Sequence, residues 1–322
     1  MPDATDARHA RAFLHYAAEP TSPHLARYVT EVGPVEAARR VDERSAPTDV
    51  LDHCRRDTRR ELATADLEQA AAGGARFVIP EDDEWPTEAL ATLTAAATDC
   101  DSHSAPLGLW VRGEPRLDML VTRSVVIVGS RAATEYGEHH AGELAYSLAS
   151  RNVVVFSGAA YGIDGAAHRG ALATDVSACT VAVLGCGIDI GYPAGHVGLL
   201  ERIARTGAVV SQYPPRTPPA RHRFIDGNRL LAALTRATVI VEAGLRSGAR
   251  TTAHTAAALG RPVLAVPGPV DSVQSTGCHQ LIQNGTARLA TCAEDILAAI
   301  ADTEDAPEEP GPAAAGRPAD RR

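Results

Sequence analysis

The stretch that decides the fold class is VVIVGSR at residues 125–131, where four apolar residues run directly into a small, flexible turn. A run of β-branched residues without polar alternation is typical of a strand that is buried on both faces. Gly129, Ser130 and Arg131 then end the apolar pattern. The segment therefore predicts a central strand of a parallel sheet, with a turn at its carboxyl end.

Five further apolar runs of the same kind follow, at residues 153–156, 180–184, 208–211, 238–241 and 263–266. Segments with helical spacing separate them. After the first run, for example, Ala141, Leu144, Ala145 and Leu148 recur at the spacing of one helix face. Because strands alternate with helices, we predict an α/β fold with an extended Rossmann-like, doubly wound and mainly parallel sheet.

The regions on either side of these runs differ in composition. Residues 1–75 are rich in Ala, Arg and Glu with helical spacing, and a Gly-Pro break at Gly33 separates two helical patterns. We predict a small all-helical domain there, similar to SAM or helix-hairpin-helix modules. Short strands at 76–80 and 109–113 begin a Rossmann-like domain that spans 76–302. Residues 303–322, acidic and rich in Pro, Ala and Gly, are expected to form a disordered tail.

Composition excludes several function classes. The chain of 322 residues contains no lysine, so lysine Schiff-base chemistry and a Walker-type phosphate lysine are excluded. A net charge of −9 argues against unspecific coating of duplex DNA but allows a local basic pocket. With no apolar run near the ~18 residues of a membrane span, and a polar N-terminus, we expect a cytoplasmic protein without membrane contact. The six cysteines lack CxxC spacing, which predicts buried thiols and no metal site.

The residues after the predicted strands are mostly small, as expected where a backbone approaches a ligand closely. Thr134 is predicted to cap the helix after the first strand, so that the 129–134 turn presents backbone N–H groups to an anion. No GxGxxG fingerprint follows the first strand, which disfavours NAD and predicts no cofactor. Together these ends favour a ligand that carries phosphate, although each glycine alone could simply serve a tight turn.

A basic cluster at residues 216–229 has four arginines and a histidine against one acid, with Phe224 among them. Cations that follow the backbone, together with a stacking ring, are how single-stranded nucleic acid is held without sequence readout. Arg246 and Arg250 flank Ser247 and are predicted on the same rim. The alternative interpretation is a solvated basic loop.

The sequence contains few residue patterns that are typical of a catalytic site. Asp164 and His168 are spaced i, i+4, and we interpret Asp164 as the N-cap of a helix that begins at Gly165, with His168 as its partner in that turn. No GxSxG elbow or HExxH motif occurs, and the pair at 139–140 lacks further ligands. The sequence predicts no catalytic residue and no enzyme.

The ordered motifs resemble one family, the DNA-processing protein A (DprA, or Smf) proteins of bacteria. The segments that carry the resemblance are VIVGSR at 126–131, SG at 157–158, GID at 162–164, AHRGAL at 167–172, VLGCGID at 183–189, YP at 192–193, NR at 228–229, SG at 247–248 and AVPG at 265–268. They span roughly residues 105–290 in order.

The resemblance implies an extended Rossmann fold behind a small helical domain, and a homodimer without enzymatic activity. It further implies a protein that binds and protects incoming single-stranded DNA and loads the RecA recombinase in natural transformation or homologous recombination. Arg131, Phe224 and Arg229 become the expected phosphate and base contacts. The predicted DNA- and phosphate-binding residues are Gly129, Ser130, Arg131, Ser157, Gly158, Gly162, Asp164, Gly185, Gly187, Arg221, Arg223, Phe224, Asn228, Arg229, Ser247, Gly248, Pro267 and Gly268.

The chain departs from the family pattern where the DNA is expected. The family usually reads Phe-Pro-x-Arg-Asn-Arg, whereas Gly227 here replaces the first arginine and Asp226 lies beside it. Tyr161 stands where arginine is common. Two alternatives are a nucleotide-binding sensor, which would use the same 129–134 turn, and a nucleotide-processing enzyme of related fold. The enzyme's Pro-Gly-Gly-x-Gly-Thr motif is broken here at Pro269, and Glu242 stands alone.

Overall fold

Nine strands form one sheet in the computed structural model, which describes residues 4–57, 60–96 and 104–304. The strands are β1 (Ala75–Val78), β2 (Leu109–Arg112), β3 (Ser124–Val128), β4 (Val154–Ser157), β5 (Thr180–Leu184), β6 (Ala208–Ser211), β7 (Ala237–Ile240), β8 (Val263–Ala265) and β9 (Arg288–Leu289). The helices are α1 (Ala4–Ala17), α2 (Pro23–Val32), α3 (Pro34–Asp42), α4 (Thr48–Leu51), α5 (Arg60–Ala72), α6 (Thr87–Ala96), α7 (Leu117–Thr122), α8 (Glu135–Ala149), α9 (Ile163–Ala171), α10 (Val197–Thr206), α11 (Arg221–Leu234), α12 (Ala249–Ala258), α13 (Thr276–Gln283) and α14 (Ala293–Glu304).

The sheet order is β1-β2-β6-β5-β4-β3-β7-β8-β9. β1 and β2 pair antiparallel at one edge, and the seven strands from β6 to β9 run parallel. The chain builds outward from β3 through β4, β5 and β6 on one side, then returns to place β7 on the other side of β3. The strand order therefore reverses between β3 and β7, where open α/β sheets bind their ligands.

The predicted α/β fold with a doubly wound, mainly parallel sheet is confirmed. All six apolar runs form strands, β3 to β8, and each bound lies within one residue of the predicted one. The two short strands predicted before them are β1 and β2. Residues of β3 and β5 are buried throughout because helices cover both faces. Helix α8 packs one buried stripe against this sheet, and the stripe has the predicted helical spacing. Its residues are Ala141, Leu144, Ala145 and Leu148.

Helices α1 to α5 precede the sheet and share a hydrophobic core with it. Gly33 ends α2 with φ +82°, and Pro34 begins α3, so the predicted break is confirmed. Phe77 of β1 and Trp110 of β2 pack with tilted rings in that same core, with 4.6 Å between ring centres. The division into two domains stays a prediction. Most of the predicted tail lies outside the described residues.

No helix among the described residues is long and apolar enough to cross a membrane. Four of the cysteines, at positions 54, 179, 186 and 278, are buried free thiols, and Cys292 is half-buried. Burial raises the pKa of the Cys186 and Cys278 thiols to about 12. These side chains are thiols rather than thiolates at neutral pH, as expected of small apolar core residues.

Candidate nucleic-acid interface

A cleft of about 910 Å³ opens over the carboxyl ends of β3, β4, β5 and β7, at the point where the strand order reverses. Helix α11 forms one wall, and the loops after β7 and β8 form the other. The structure brings together a large part of the predicted site in this cleft. Its predicted members are Gly129, Ser130, Arg131, Gly158, Asp164, Gly185, Arg221, Phe224, Asn228, Ser247 and Gly248.

Three exposed arginines, Arg131, Arg221 and Arg246, line the cleft from three different loops or helices. Within the described chain, none of the three forms an ion pair with a carboxylate. Asp164 is the one acid among the lining residues, and it is buried. The rim is therefore cationic in a chain whose net charge is −9, and it suits an anionic ligand.

Phe224 supplies an aromatic surface beside these cations. Its ring lies against the backbone of Gly185, where an added Cβ would approach the ring to 2.8 Å. The Arg131 guanidinium carbon lies 5.2 Å from the ring centre, within cation–π range. Because Gly185 has no side chain, the ring can settle on the end of β5 and stay half-exposed to the cleft.

Asp164 organises the floor of the cleft. The Ala160 N–H donates to Asp164 Oδ2 at 3.3 Å, and backbone N–H groups of Gly129 and Gly158 also point to this carboxylate. One buried side chain thus ties together the turns after β3 and β4. Burial raises the pKa of Asp164 from 3.8 to about 6, although the backbone donors and Arg131 act in the opposite direction.

The interpretation of Asp164 as an N-cap paired with His168 is wrong. Helix α9 begins at Ile163 with Gly162 as its N-cap, so Asp164 lies inside the first turn. His168 is buried, and its Nδ1 lies 2.7 Å from Thr180 Oγ1 on β5. Burial lowers the pKa of His168 to about 3, so its ring stays neutral and structural.

The raised pKa of Asp164 predicts a stability change with pH. Its proton is held more tightly in the folded state than in the unfolded chain between about pH 4 and pH 6. The contribution of this bound proton to the free energy of unfolding is fully present below about pH 4 and is lost as the pH rises through 6. Replacing Asp164 with asparagine should flatten this profile. The difference in unfolding free energy between wild type and Asp164→Asn should shift by roughly 2–3 kcal/mol from pH 4 to 7. Urea unfolding at several pH values measures it, and parallel profiles would contradict the assignment.

The N-terminus of α8 already has an anionic acceptor from within the protein. Thr134 caps it as predicted, accepting from the Gly137 N–H at 3.2 Å. The expectation that this turn presents its N–H groups to an anion is corrected by the buried Glu242. Its carboxylate accepts from Thr134 N at 2.9 Å and from Thr134 Oγ1 at 2.5 Å. Gly137 leaves room for it, since a Cβ there would lie 2.4 Å from the carboxyl carbon.

Several predicted residues support the cleft without lining it. Ser157 is buried and donates to the Ile127 carbonyl at 2.6 Å. Gly162 has φ +72°, and a Cβ there would lie 2.3 Å from the Ser130 carbonyl oxygen, so this glycine carries the Gly129–Arg131 turn. Pro267 accepts from the Tyr136 hydroxyl, and Gly268 packs on Ser275, behind the cleft wall.

Other predicted residues face the N-terminal helices instead. Arg223 is buried, with its guanidinium over the Tyr213 ring and 3.4 Å from Glu19. Gly187 donates to the Thr217 carbonyl, in the loop that leads to α11. Arg229 lies 3.5 Å from Asp226 Oδ1, outside the cleft lining. The basic cluster is therefore split between two faces of α11, because its arginines fall at different helical angles.

The structure shows where the two departures from the family pattern, at Gly227 and Asp226, lie. Gly227 lines the cleft, and nothing lies within 4 Å of a Cβ added there. Asp226 is buried and accepts from the Tyr213 hydroxyl at 3.2 Å, so its charge does not face the cleft. The cleft therefore lacks the cation that the family usually has at position 227, whereas the charge of Asp226 does not enter the cleft.

Sequence reasoning missed the wall formed by Leu245, Val273, Gln274 and Thr276. Arg246 was placed on the rim correctly, while Arg250 donates to the Leu245 carbonyl and supports the loop. The Gln274 amide donates to the Ala132 carbonyl at 3.0 Å and so joins the loop after β8 to the turn after β3. These residues carry neither charge clusters nor glycine motifs, so no local signal could have found them.

The fold and the cleft define a class: doubly wound α/β proteins with a cationic, aromatic-lined cleft over the carboxyl ends of the strands. Residues 76–301 match the family model of DNA recombination-mediator protein A. The chain belongs to this family, which confirms the resemblance drawn from the motifs.

Curated relatives and solved structures agree with this family assignment. The chain is 52% identical to the putative DNA processing protein DprA of Mycobacterium tuberculosis over 312 residues, covering 95% of this chain and 78% of that protein. It is 40% identical to protein Smf of Escherichia coli over 222 residues, 68% of this chain and 55% of that protein.

Among solved structures, DNA processing protein A of Streptococcus pneumoniae aligns with a TM-score of 0.73 and 27% identity, covering 92% of this chain and 98% of that one. DNA processing protein A of Helicobacter pylori, studied for its unique single-stranded DNA binding mode, aligns with a TM-score of 0.59 and 26% identity. That alignment covers 70% of this chain and 96% of the other.

Proposed function

We propose that this protein binds single-stranded DNA in the cleft over β3, β4, β5 and β7 and acts as a recombination mediator. The observation that carries the proposal is the juxtaposition in one cleft of the half-exposed Phe224 ring and three exposed arginines that form no ion pair within the described residues. Arginine forks bind phosphate, and a ring stacks with any base. The single-stranded DNA binding mode studied in the Helicobacter pylori relative supports the same ligand class.

The finer parts of the proposal rest on the resemblance to the family. We propose that the protein is a homodimer in the cytoplasm, protects incoming single strands and loads RecA onto them. It acts without catalysis. In support, the acid that lines the cleft and the buried acid after β7 have structural partners: Asp164 accepts backbone N–H groups, and Glu242 accepts from Thr134. Lone pairs of both carboxylates are thus taken up by the protein's own donors.

Fluorescence anisotropy with a labelled oligothymidylate tests the ligand class. We expect salt-sensitive binding that unlabelled single strands displace and duplex DNA does not, because only unstacked bases can reach Phe224. Nucleoside monophosphates serve as a second competitor. Stoichiometric binding of a nucleoside monophosphate, measured by native mass spectrometry, together with no binding of the oligonucleotide would instead favour the nucleotide sensor. Release of free base would favour the enzyme.

The open space at Gly227 predicts a variant that gains affinity. Arginine at 227 adds a cation to the cleft lining without a clash at Cβ, and it removes a glycine from the interior of α11. We expect tighter single-strand binding, a salt slope steeper by about 0.7, and up to about 1 kcal/mol more stability. Gly227→Ala, which shares the helix effect but not the charge, is the control. Equal affinities for the alanine and arginine variants would contradict a DNA path along this helix face.

A further inference from the structure

Two exposed tyrosines lie next to the cleft but outside its lining. Tyr192 belongs to the connection between β5 and α10, and Tyr161 to the turn between β4 and α9. Tyr161 is 49% exposed and Tyr192 is 37% exposed. Exposed aromatic rings beside a binding cleft indicate a contact surface, because each ring exposes apolar area that a ligand can cover.

Tyr192 continues the aromatic surface of the cleft. Its ring centre lies 5.4 Å from that of Phe224, at an interplanar angle of 43°. Phe224 in turn lies under the Arg131 guanidinium. A nucleic-acid strand that leaves the cleft over Phe224 therefore meets the Tyr192 ring as its next flat apolar surface.

Tyr161 packs beside the loop that carries Tyr192. Its hydroxyl accepts from the Gly195 N–H at 3.2 Å, and a Cβ on Gly195 would lie 2.9 Å from that hydroxyl. The ring thus rests on the backbone three residues beyond Tyr192. On its other side, Gly162 lies against the Arg131 carbonyl. Tyr161 therefore borders both the Arg131 turn and the loop that carries Tyr192.

We propose that Tyr192 and Tyr161 form a stacking extension of the cleft, an aromatic step on which bases of single-stranded DNA rest after passing Phe224. This inference rests on the proposed function, and it assigns a longer binding path whose outer part works through stacking rather than charge. The Tyr161 ring contacts the His196 ring edge to face at 4.9 Å, and Tyr192 contacts Phe224, yet both tyrosines stay more than one third exposed. The outer step would therefore add affinity without adding counterion release.

The test measures affinity against oligothymidylate length and salt for Tyr192→Ala, Tyr161→Ala and the double variant. Lengths from about 4 to about 16 nucleotides cover known site sizes of single-strand binders. For the longer oligonucleotides we expect at least about fivefold weaker binding by each single variant, and about 10–100-fold by the double variant. The salt slope should stay that of wild type, because no cation is removed. The shortest oligonucleotide that binds should show no change.

Two controls keep the outcome interpretable. Tyr192→Phe and Tyr161→Phe keep the ring and should bind nearly as wild type. Tyr146, which is 46% exposed near the C-terminal end of α8, away from the cleft, is the matched alanine control. If wild type binds long and short oligonucleotides but the double alanine variant matches it at every length, the stacking extension is refuted while the cleft stands. If wild type binds no single strand at all, the proposed function fails first.

Discussion

Replacing Glu242 with alanine is expected to lower the free energy of unfolding by about 2–4 kcal/mol. The side chain is 2% exposed, and its carboxylate accepts both the N–H and the hydroxyl of Thr134. Alanine would leave these donors and the N-terminus of α8 without their acceptor in a buried place. Denaturant unfolding, followed by circular dichroism, measures the change.

The matched control is Glu138→Ala, in the first turn of α8, where the carboxylate lies 3.9 Å from Arg169 and both side chains are about half-exposed. Its removal should change stability by no more than about 0.5 kcal/mol. A Glu242→Ala variant as stable as wild type would show that the buried carboxylate does not hold the β3–α8 turn. A nucleotide-processing role for this acid would then need to be reconsidered.

Replacing Arg131 with alanine is expected to weaken single-strand binding by about 10–100-fold, the contribution of a charged hydrogen bond to phosphate. The same change removes the cation from the Phe224 ring. The salt slope should become shallower by about 0.7, whereas stability should stay near that of wild type because the side chain is exposed. Anisotropy titrations at several salt concentrations separate these effects.

Arg151→Ala is the matched control for Arg131→Ala. This arginine follows α8 at the opposite end of the sheet and pairs with Glu294 at 2.6 Å. Its loss removes an equal charge from the protein but none from the cleft. If both variants weaken binding equally, the attraction is a general effect of net charge. The assignment of Arg131 as a phosphate contact would then be contradicted.

The fold could be predicted because its information is local. Each buried strand is a continuous apolar run, each break has a glycine or proline, and the order of runs and helices specifies a parallel sheet. The turn after β3 and the aromatic residue of α11 also carry local signals. The sequence therefore predicts that Gly129, Arg131 and Phe224 belong to one site, and they do line one cleft.

The rest depends on contacts between distant parts of the chain. Arg223 and Arg229 belong to the same basic cluster as Phe224, yet their helical angles turn them toward Glu19 and Asp226. The anion at the start of α8 is supplied by Glu242, 108 residues away from Thr134. A sequence pattern shows that a helix start needs an acceptor, but not which side chain the fold brings there. The wall around Gln274 was missed for the same reason.

The most direct test of the account is photo-crosslinking of a 5-iododeoxyuridine oligonucleotide to the full chain, with the attached peptides mapped by mass spectrometry. We predict crosslinks to the peptide of Phe224, with further ones at Tyr192 and Tyr161 on the path leaving the cleft. Unlabelled single strands should suppress them, and duplex DNA should not. Crosslinks confined to the N-terminal helices, with none around Phe224, would contradict the central claim that the cleft over the strand ends holds single-stranded DNA.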